Sequence, residues 1–437
     1  MRTPSTFIWA ILIITIAGNL LIFVYHLCQT YTSYELPAWR PFGSLPTLAY
    51  DHSDPSTVDL GNLLFTTNAS TYAAHCGGDD WREIFRRFEA RQLRALAGDP
   101  TVNAVVWRCA RRGCGGLGDR MRGLLTSFTL ALFTDRAFFV DHSFPAGLNK
   151  SFTFLNPHLD WTYREELALG RRVDEVTFLN SQPEWDYQED DPSVHLHEVD
   201  ILIQNTNQYL VHRLLVNPFL STKILELGLD AIPSGNIPGC LFNYVLHPTP
   251  TIRHTIRNIT RTAALNEDIA LIGIQIRTGS SSSWTDPKRV PRQAAKEFFQ
   301  CAETIEHELL SKQPSLRKAR WFLTSDSEEI IQQAVARYGA DKIITVPGAI
   351  VHIDLTPTQE AEDLTNTVVD HLMLAEADRL VISRSGFSEL AGKRAFKPAF
   401  VYPFPDGGCV EGNEVPFQDF KSWPGLKKYY PKSASQT

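Results

Sequence analysis

Three segments far apart in the chain each end an apolar run on residues able to hold an anion. "IGIQIRTG" closes on Gln275, Arg277, Thr278 and Gly279, "WFLTSD" on Thr324, Ser325 and Asp326, and "LVISRSGFSEL" on Ser383, Arg384, Ser385, Gly386, Phe387 and Ser388. Together they supply a permanent planar cation, a carboxylate and a group of hydroxyls beside a helix start. That set suits a nucleoside diphosphate. The guanidinium forks onto phosphate oxygens, hydroxyls and backbone N–H groups take the rest, and the acid accepts from a base N–H. Each residue taken alone also has a plain structural reading: Ser385 or Ser388 as a helix cap, Asp326 as a cap before "SEE", Arg277 as an ion pair. Three such ends in one sheet favour a ligand.

A second candidate is "CARRGCGGLGDRMRG", Cys109 to Gly123. Gly113, Gly115, Gly116 and Gly118 are too closely set for the G-x-G-x-x-G dinucleotide fingerprint, and no Gly-Lys-Ser/Thr follows as in a phosphate-binding P-loop. What remains is backbone able to approach another molecule closely, or a tight turn, with Asp119 and Arg120 at the start of a helix. Metal chemistry has little support, and no metal is expected. The chain has no Asp-x-Asp, the acidic run Glu189–Asp191 reads as a solvated loop, and His195 and His197 alternate as on a strand without a third ligand nearby. "GFSEL" is not the G-x-S-x-G elbow of a serine hydrolase.

The elements that position these residues follow from periodicity. "VNAVVWR", the glycine loop, a helix over about 119–133 and "RAFFVDH" form a β-α-β unit. Leu124, Leu125, Phe128 and Leu132 share its apolar face, with Arg120 and Arg122 pointing elsewhere. From "IALIGIQIR" to "PAFVYP", five apolar strands alternate with four helices, which implies a parallel, doubly wound sheet. Such sheets bind ligands at the carboxyl ends of their strands.

A chain of 437 residues calls for two domains of ordinary size, and a net charge of −7 gives no basic field for nucleic acid, which is therefore not an expected partner. Residues 7–28, "FIWAILIITIAGNLLIFVYHLC", carry no charge over the length of a bilayer core and read as a transmembrane signal anchor. Arg2 precedes the span and no Lys or Arg follows until Arg40, so the tail 1–6 is expected in the cytosol and the bulk in the lumen of the Golgi or ER. Sequons at Asn68, Asn149 and Asn258 fit that side. Beyond the span, Cys76, Cys109, Cys114, Cys240, Cys301 and Cys409 permit three disulfides, and Cys109 with Cys114 would close the glycine loop. Residues 29–99 read as a stem and irregular lead-in, 100–260 as an acceptor-side α/β domain and 261–437 as a donor-binding Rossmann-like domain.

The glycine loop, "IGIQIRTG", "FLTSDSEEI" and "LVISRSGFSELA", in that order, resemble the fucosyltransferase superfamily of plant xyloglucan fucosyltransferases, α1,6-fucosyltransferases and protein O-fucosyltransferases, most of all the plant type. The resemblance implies a GT-B-like α/β fold, two Rossmann-like domains facing a cleft, and inverting transfer of fucose from GDP-fucose to a glycan or glycoprotein acceptor without a metal or other cofactor. It implies that Arg277 holds the donor diphosphate, Asp326 contacts guanine, and Ser385 and Ser388 bind phosphate, with Gln275, Thr278, Gly386 and Phe387 around them. Gly115, Gly116, Gly118 and Arg120 would face donor sugar and acceptor across the cleft, holding no phosphate and leaving room. Asp119 becomes the candidate base. Gln275 and Asp119 stand where several relatives have histidine and asparagine. A transferase using another nucleotide sugar, or an anchored glycan-binding protein without turnover, are the competing functions.

Overall fold

The computed structural model describes residues 69–78, 81–279, 290–348, 350–354, 361–406 and 408–419, all within one unit, Asp59–Thr437. The expected span 7–28, the tail before it, the stem up to residue 68 and the Asn68 sequon lie outside the described residues. Among the described residues no helix is long and apolar enough to cross a membrane.

Helices α1 (Ala69–Cys76) and α2 (Glu83–Leu96) precede the first strand, which corrects the expectation of an irregular lead-in up to residue 99. Ile84, Phe85, Phe88 and Ala95 give α2 a buried face interrupted by arginines. A fifth buried residue, Gln92, is polar. The Gln92 amide donates to the Phe138 carbonyl at 2.9 Å and accepts from the Phe138 N–H at 2.8 Å, so one side chain satisfies part of a sheet edge as a neighbouring strand would.

The first sheet contains β1 (Ala104–Arg108), β2 (Ala137–Asp141), β3 (Val173–Phe178) and β4 (Ile201–Thr206), in the order β2-β1-β4-β3 and all parallel. Helix α3 (Leu117–Phe133) links β1 to β2. Every residue of α3 except Asp119 is buried, Arg120 and Arg122 included. The one-sided amphipathic reading therefore fails, because α3 is covered by its own sheet on one side and by the helices Ile237–Val245 and Gly386–Ala395 as well. His195 lies in a one-turn helix, Pro192–Leu196, stacked on Trp185, rather than on a strand.

After α4 (Ile237–Val245) and α5 (Pro250–Thr262) comes the second sheet: β5 (Ile269–Ile276), α6 (Ala295–Lys312), β6 (Lys318–Ser325), α7 (Glu328–Tyr338), β7 (Ile343–Ile344), α8 (Ala361–Glu376), β8 (Arg379–Ser383), α9 (Gly386–Ala395) and β9 (Ala399–Tyr402). Its order is β9-β8-β5-β6-β7, all parallel, with the central strand β5 buried from Ala270 onward. A parallel strand covered by helices on both faces must be apolar almost throughout, which is why these runs were readable.

One apolar core joins the two halves, drawing Leu124 and Phe128 from α3, Phe242 from α4, Leu372 from α8 and Leu390 from α9. The helices cross at small residues. A Cβ on Gly118 would lie 2.5 Å from the Phe387 nitrogen, and one on Gly239 would lie 2.5 Å from the Phe396 ring. All six cysteines beyond the expected span are paired, as Cys76–Cys240, Cys109–Cys114 and Cys301–Cys409.

Candidate functional site

The carboxyl ends of β5, β6 and β8 lie side by side, as the topology requires. Asp326, just past β6, accepts from the Thr278 N–H at 2.7 Å and hydroxyl at 2.8 Å on one oxygen. Its other oxygen accepts from the Gly279 N–H at 2.7 Å and Arg277 Nη1 at 3.3 Å. Four donors fill what a carboxylate can accept. With 5% of its side chain exposed, Asp326 is corrected from a base contact to the clamp that shapes the Arg277–Gly279 turn. Arg277 keeps 17% exposure, and its backbone N–H donates to the Ser383 hydroxyl at 3.0 Å, tying β5 to β8.

The hydroxyls are less available than the sequence suggests. Ser383 and Ser388 both donate to the Gln275 side-chain oxygen, at 2.7 and 2.9 Å. Gln275 and Ser388 are buried. They knit β5, β8 and α9 together and present no side chain to a ligand, which corrects the expectation for both. The Ser325 hydroxyl donates to the Ile276 carbonyl, and Thr278 is spent on Asp326. Ser385 stays half-buried at the N-cap of α9, followed by Gly386 and Phe387. The Phe387 carbonyl meets His371 Nδ1 at 3.0 Å and the two rings pack edge to face, so Phe387 is chiefly a packing residue.

Sequence reasoning missed Asp370 on α8. It hydrogen-bonds Thr324 at the end of β6, and its dense surroundings push its pKa up to about 7 although part of the residue remains exposed.

The glycine loop is anchored by a carboxylate from the other half. Asp354 accepts from the Gly113 N–H at 2.9 Å, the Gly115 N–H at 3.0 Å and Arg120 Nη2 at 3.1 Å. The left-handed backbone of Gly113 and Gly115 turns both N–H groups onto it. Arg120, 1% exposed, also donates to the Gly115 and Phe144 carbonyls and to His142 Nε2. His142 then carries its proton on Nδ1, facing the Ala146 carbonyl. Burial and the Arg120 charge hold its pKa down at about 3, so it is neutral. Gly116 faces His352, and Gly118 meets Gly386 and Phe387 directly. The expectation that this loop only leaves room is corrected: it binds Asp354, and at Gly118 the halves touch.

Asp119 stands between these two regions. Its side chain is 31% exposed, lies against Gly115 and accepts from Arg122 Nη1 at 3.1 Å. Arg122 in turn lies over Gly386, where a Cβ would come within 2.3 Å of its guanidinium carbon. Among the described residues no group of three or more His, Cys, Asp or Glu is arranged to hold a metal ion.

No family model matches the chain, and no curated protein does. Among solved structures, an arginine-to-lysine mutant of Arabidopsis thaliana FUT1 in complex with GDP is similar with a TM-score of 0.52, at 16% identity over 77% of this chain and 81% of that one. The chain shares the fold of that protein. Fucosyltransferase NodZ from Bradyrhizobium gives 0.39 at 14% identity over 67% and 92% of the two chains, and POFUT1 in complex with GDP-fucose gives 0.37 at 12% over 70% and 99%. In this fold, the strand ends carrying Arg277 belong to the second sheet and the glycine loop to the first.

Proposed function

We propose that the chain is a glycosyltransferase that moves fucose from GDP-fucose to a glycan hydroxyl, with inversion and without a metal, from the luminal side of a Golgi or ER membrane. The observation that carries this reading is Arg277. It is a partly exposed guanidinium at a parallel-sheet switch region, aimed by Asp326, in a fold whose Arabidopsis neighbour was solved with GDP. Three disulfides support an oxidising compartment.

As the bond from fucose C1 to the diphosphate oxygen breaks, negative charge grows on the leaving group. In this reading Arg277 and the N-terminal N–H groups of α9 receive it, and a fixed cation there performs the neutralisation that a metal performs in other transferases. The acceptor oxygen bonds to C1 from the opposite side while its proton passes to the Asp119 carboxylate. With Asp326 occupied, the acid that accepts from a purine N–H is Asp370, beside Thr324.

Turnover of the full-length chain in detergent, with excess EDTA and a panel of nucleotide sugars, tests the proposal. GDP release and acceptor labelling with GDP-fucose alone is the expected result. Transfer from a uridine donor would replace fucose as the sugar, and acceptor binding without any transfer would leave a glycan-binding protein.

A further inference from the structure

We propose that Arg122 is a positioning residue that holds Asp119 ionised and aimed at the glycine loop, and that it is itself held by the first turn of α9. The inference rests on the reading of Asp119 as the group that takes the acceptor proton.

The geometry is a chain of contacts from one half of the molecule to the other. Arg122 Nη1 donates to Asp119 Oδ1 at 3.1 Å, and Nη2 lies 3.6 Å from Glu389 Oε2. The guanidinium is 5% exposed, so neither contact is a loose surface pair. Its seat is Gly386: a Cβ there would lie 2.3 Å from Cζ and Nη2 and 2.7 Å from Nε. Glycine at the first residue of α9 is thus required by an arginine of α3, which gives "SRSGFSE" a purpose apart from ligand binding. Gly386 directly follows the N-cap beside the Arg277 strand end, so the contact sets Asp119 and the donor-side helix relative to each other.

Among the described residues, the charged and titratable groups facing Asp119 come from three elements. Arg122 and Arg120 share its helix, with Arg120 attracted to it. Glu389 of α9 stands beyond Arg122, and His352 lies across Gly116. Arg120 is engaged by Asp354, and Arg122 donates directly to the Asp119 carboxylate. In the transfer step the acceptor O–H bond breaks, its electron pair forms the bond to C1, and the proton ends on Asp119. A carboxylate protonated beforehand cannot accept it.

The test compares Arg122→Gln, Arg122→Lys and Gly386→Ala with the parent, measuring the pH profile of kcat/KM and the Kd for GDP. Arg122→Gln should move the acidic limb to higher pH, because the carboxylate loses the cation bonded to it. kcat should fall at least tenfold and GDP affinity change less than twofold. Gly386→Ala keeps every charge but displaces the guanidinium, and should reproduce the limb shift. Arg122→Lys should restore the parental limb in part. Parental limbs in both the Gln and Gly386→Ala variants, with normal GDP binding, would overturn the proposal. Asp119→Asn separates the two levels: if it transfers fucose as the parent does, the role of Asp119 itself falls; if it is inactive while those limbs stay parental, only the role of Arg122 falls.

Discussion

Asp326 carries Arg277: the carboxylate that accepts from Arg277 Nη1 at 3.3 Å also binds the two backbone N–H groups that follow, of Thr278 and Gly279. A flexible side chain at the end of a central strand is thereby given a fixed base. Little entropy is left to lose on binding the proposed diphosphate.

Asp326→Asn should therefore lose stability and donor affinity together. The amide keeps one acceptor oxygen and turns an NH2 toward backbone donors, leaving at least one buried N–H unsatisfied at about 1–3 kcal/mol. Urea unfolding should show that loss, and calorimetry should show GDP binding weakened at least tenfold. Parental GDP affinity in a destabilised variant would separate the clamp from donor binding.

Asp354→Ala should be costly for a different reason. It strips the partner from Arg120, which is 1% exposed, and breaking a buried pair from one side costs on the order of 3 kcal/mol. The same measurement in urea checks it, and a loss below about 1 kcal/mol would mean that the contact behaves as a surface pair.

The disulfides should differ in worth. Cys76–Cys240 and Cys301–Cys409 span 164 and 108 residues, whereas Cys109–Cys114 spans 5. Loop-closure entropy gives about 5 kcal/mol for either long bridge and about 2 kcal/mol for the short one. Paired Cys→Ser variants at 76 and 240 should fall much further in urea midpoint than those at 109 and 114. Equal losses would contradict the entropic ranking.

Asp370 ties stability and binding to pH in opposite directions. Its pKa is raised from 3.8 to about 7 by burial, so the folded chain holds its proton more tightly than the unfolded chain. That stabilisation is complete below pH 3.8 and is lost as pH rises through about 7. Asp370→Asn should match the parent more closely at pH 5 and exceed it at pH 8. As the acceptor of a base N–H, ionised Asp370 should make parental GDP affinity fall as pH drops through about 7, with this dependence absent from the asparagine variant. A pH response identical in the two proteins would remove Asp370 from the site.

The second sheet was legible because burial on both faces writes each strand as an unbroken apolar run, from "IALIGIQI" to "AFVY". The strand-end location of Arg277 followed from topology alone. Three features did not. In α2 the polar Gln92 occupies a buried position because it bonds to the Phe138 backbone 46 residues away, a partner that no local pattern announces. Arg122 reads as pointing away from the apolar face, and periodicity does not show that Asp119, Glu389 and the missing Cβ of Gly386 take it into a buried seat there. Asp326 and Ser388 lie at the strand ends as the sequence places them, but their polar atoms are already satisfied by neighbours, which no local pattern shows.

The central claim is that Arg277 anchors a nucleoside diphosphate, and Arg277→Lys tests it most directly because the charge is kept and only the fork is lost. GDP affinity and transfer rate should be measured on full-length variant and parent, after confirming matched melting temperatures. Loss of a charge-assisted contact in a closed site should cost about 2–4 kcal/mol of transition-state stabilisation, or roughly two to three decades in rate, with GDP binding weakened alongside. A lysine variant that binds GDP and transfers fucose within a factor of about five of the parent, as a surface ion pair worth about 0–1 kcal/mol would allow, would contradict the assignment of the donor site.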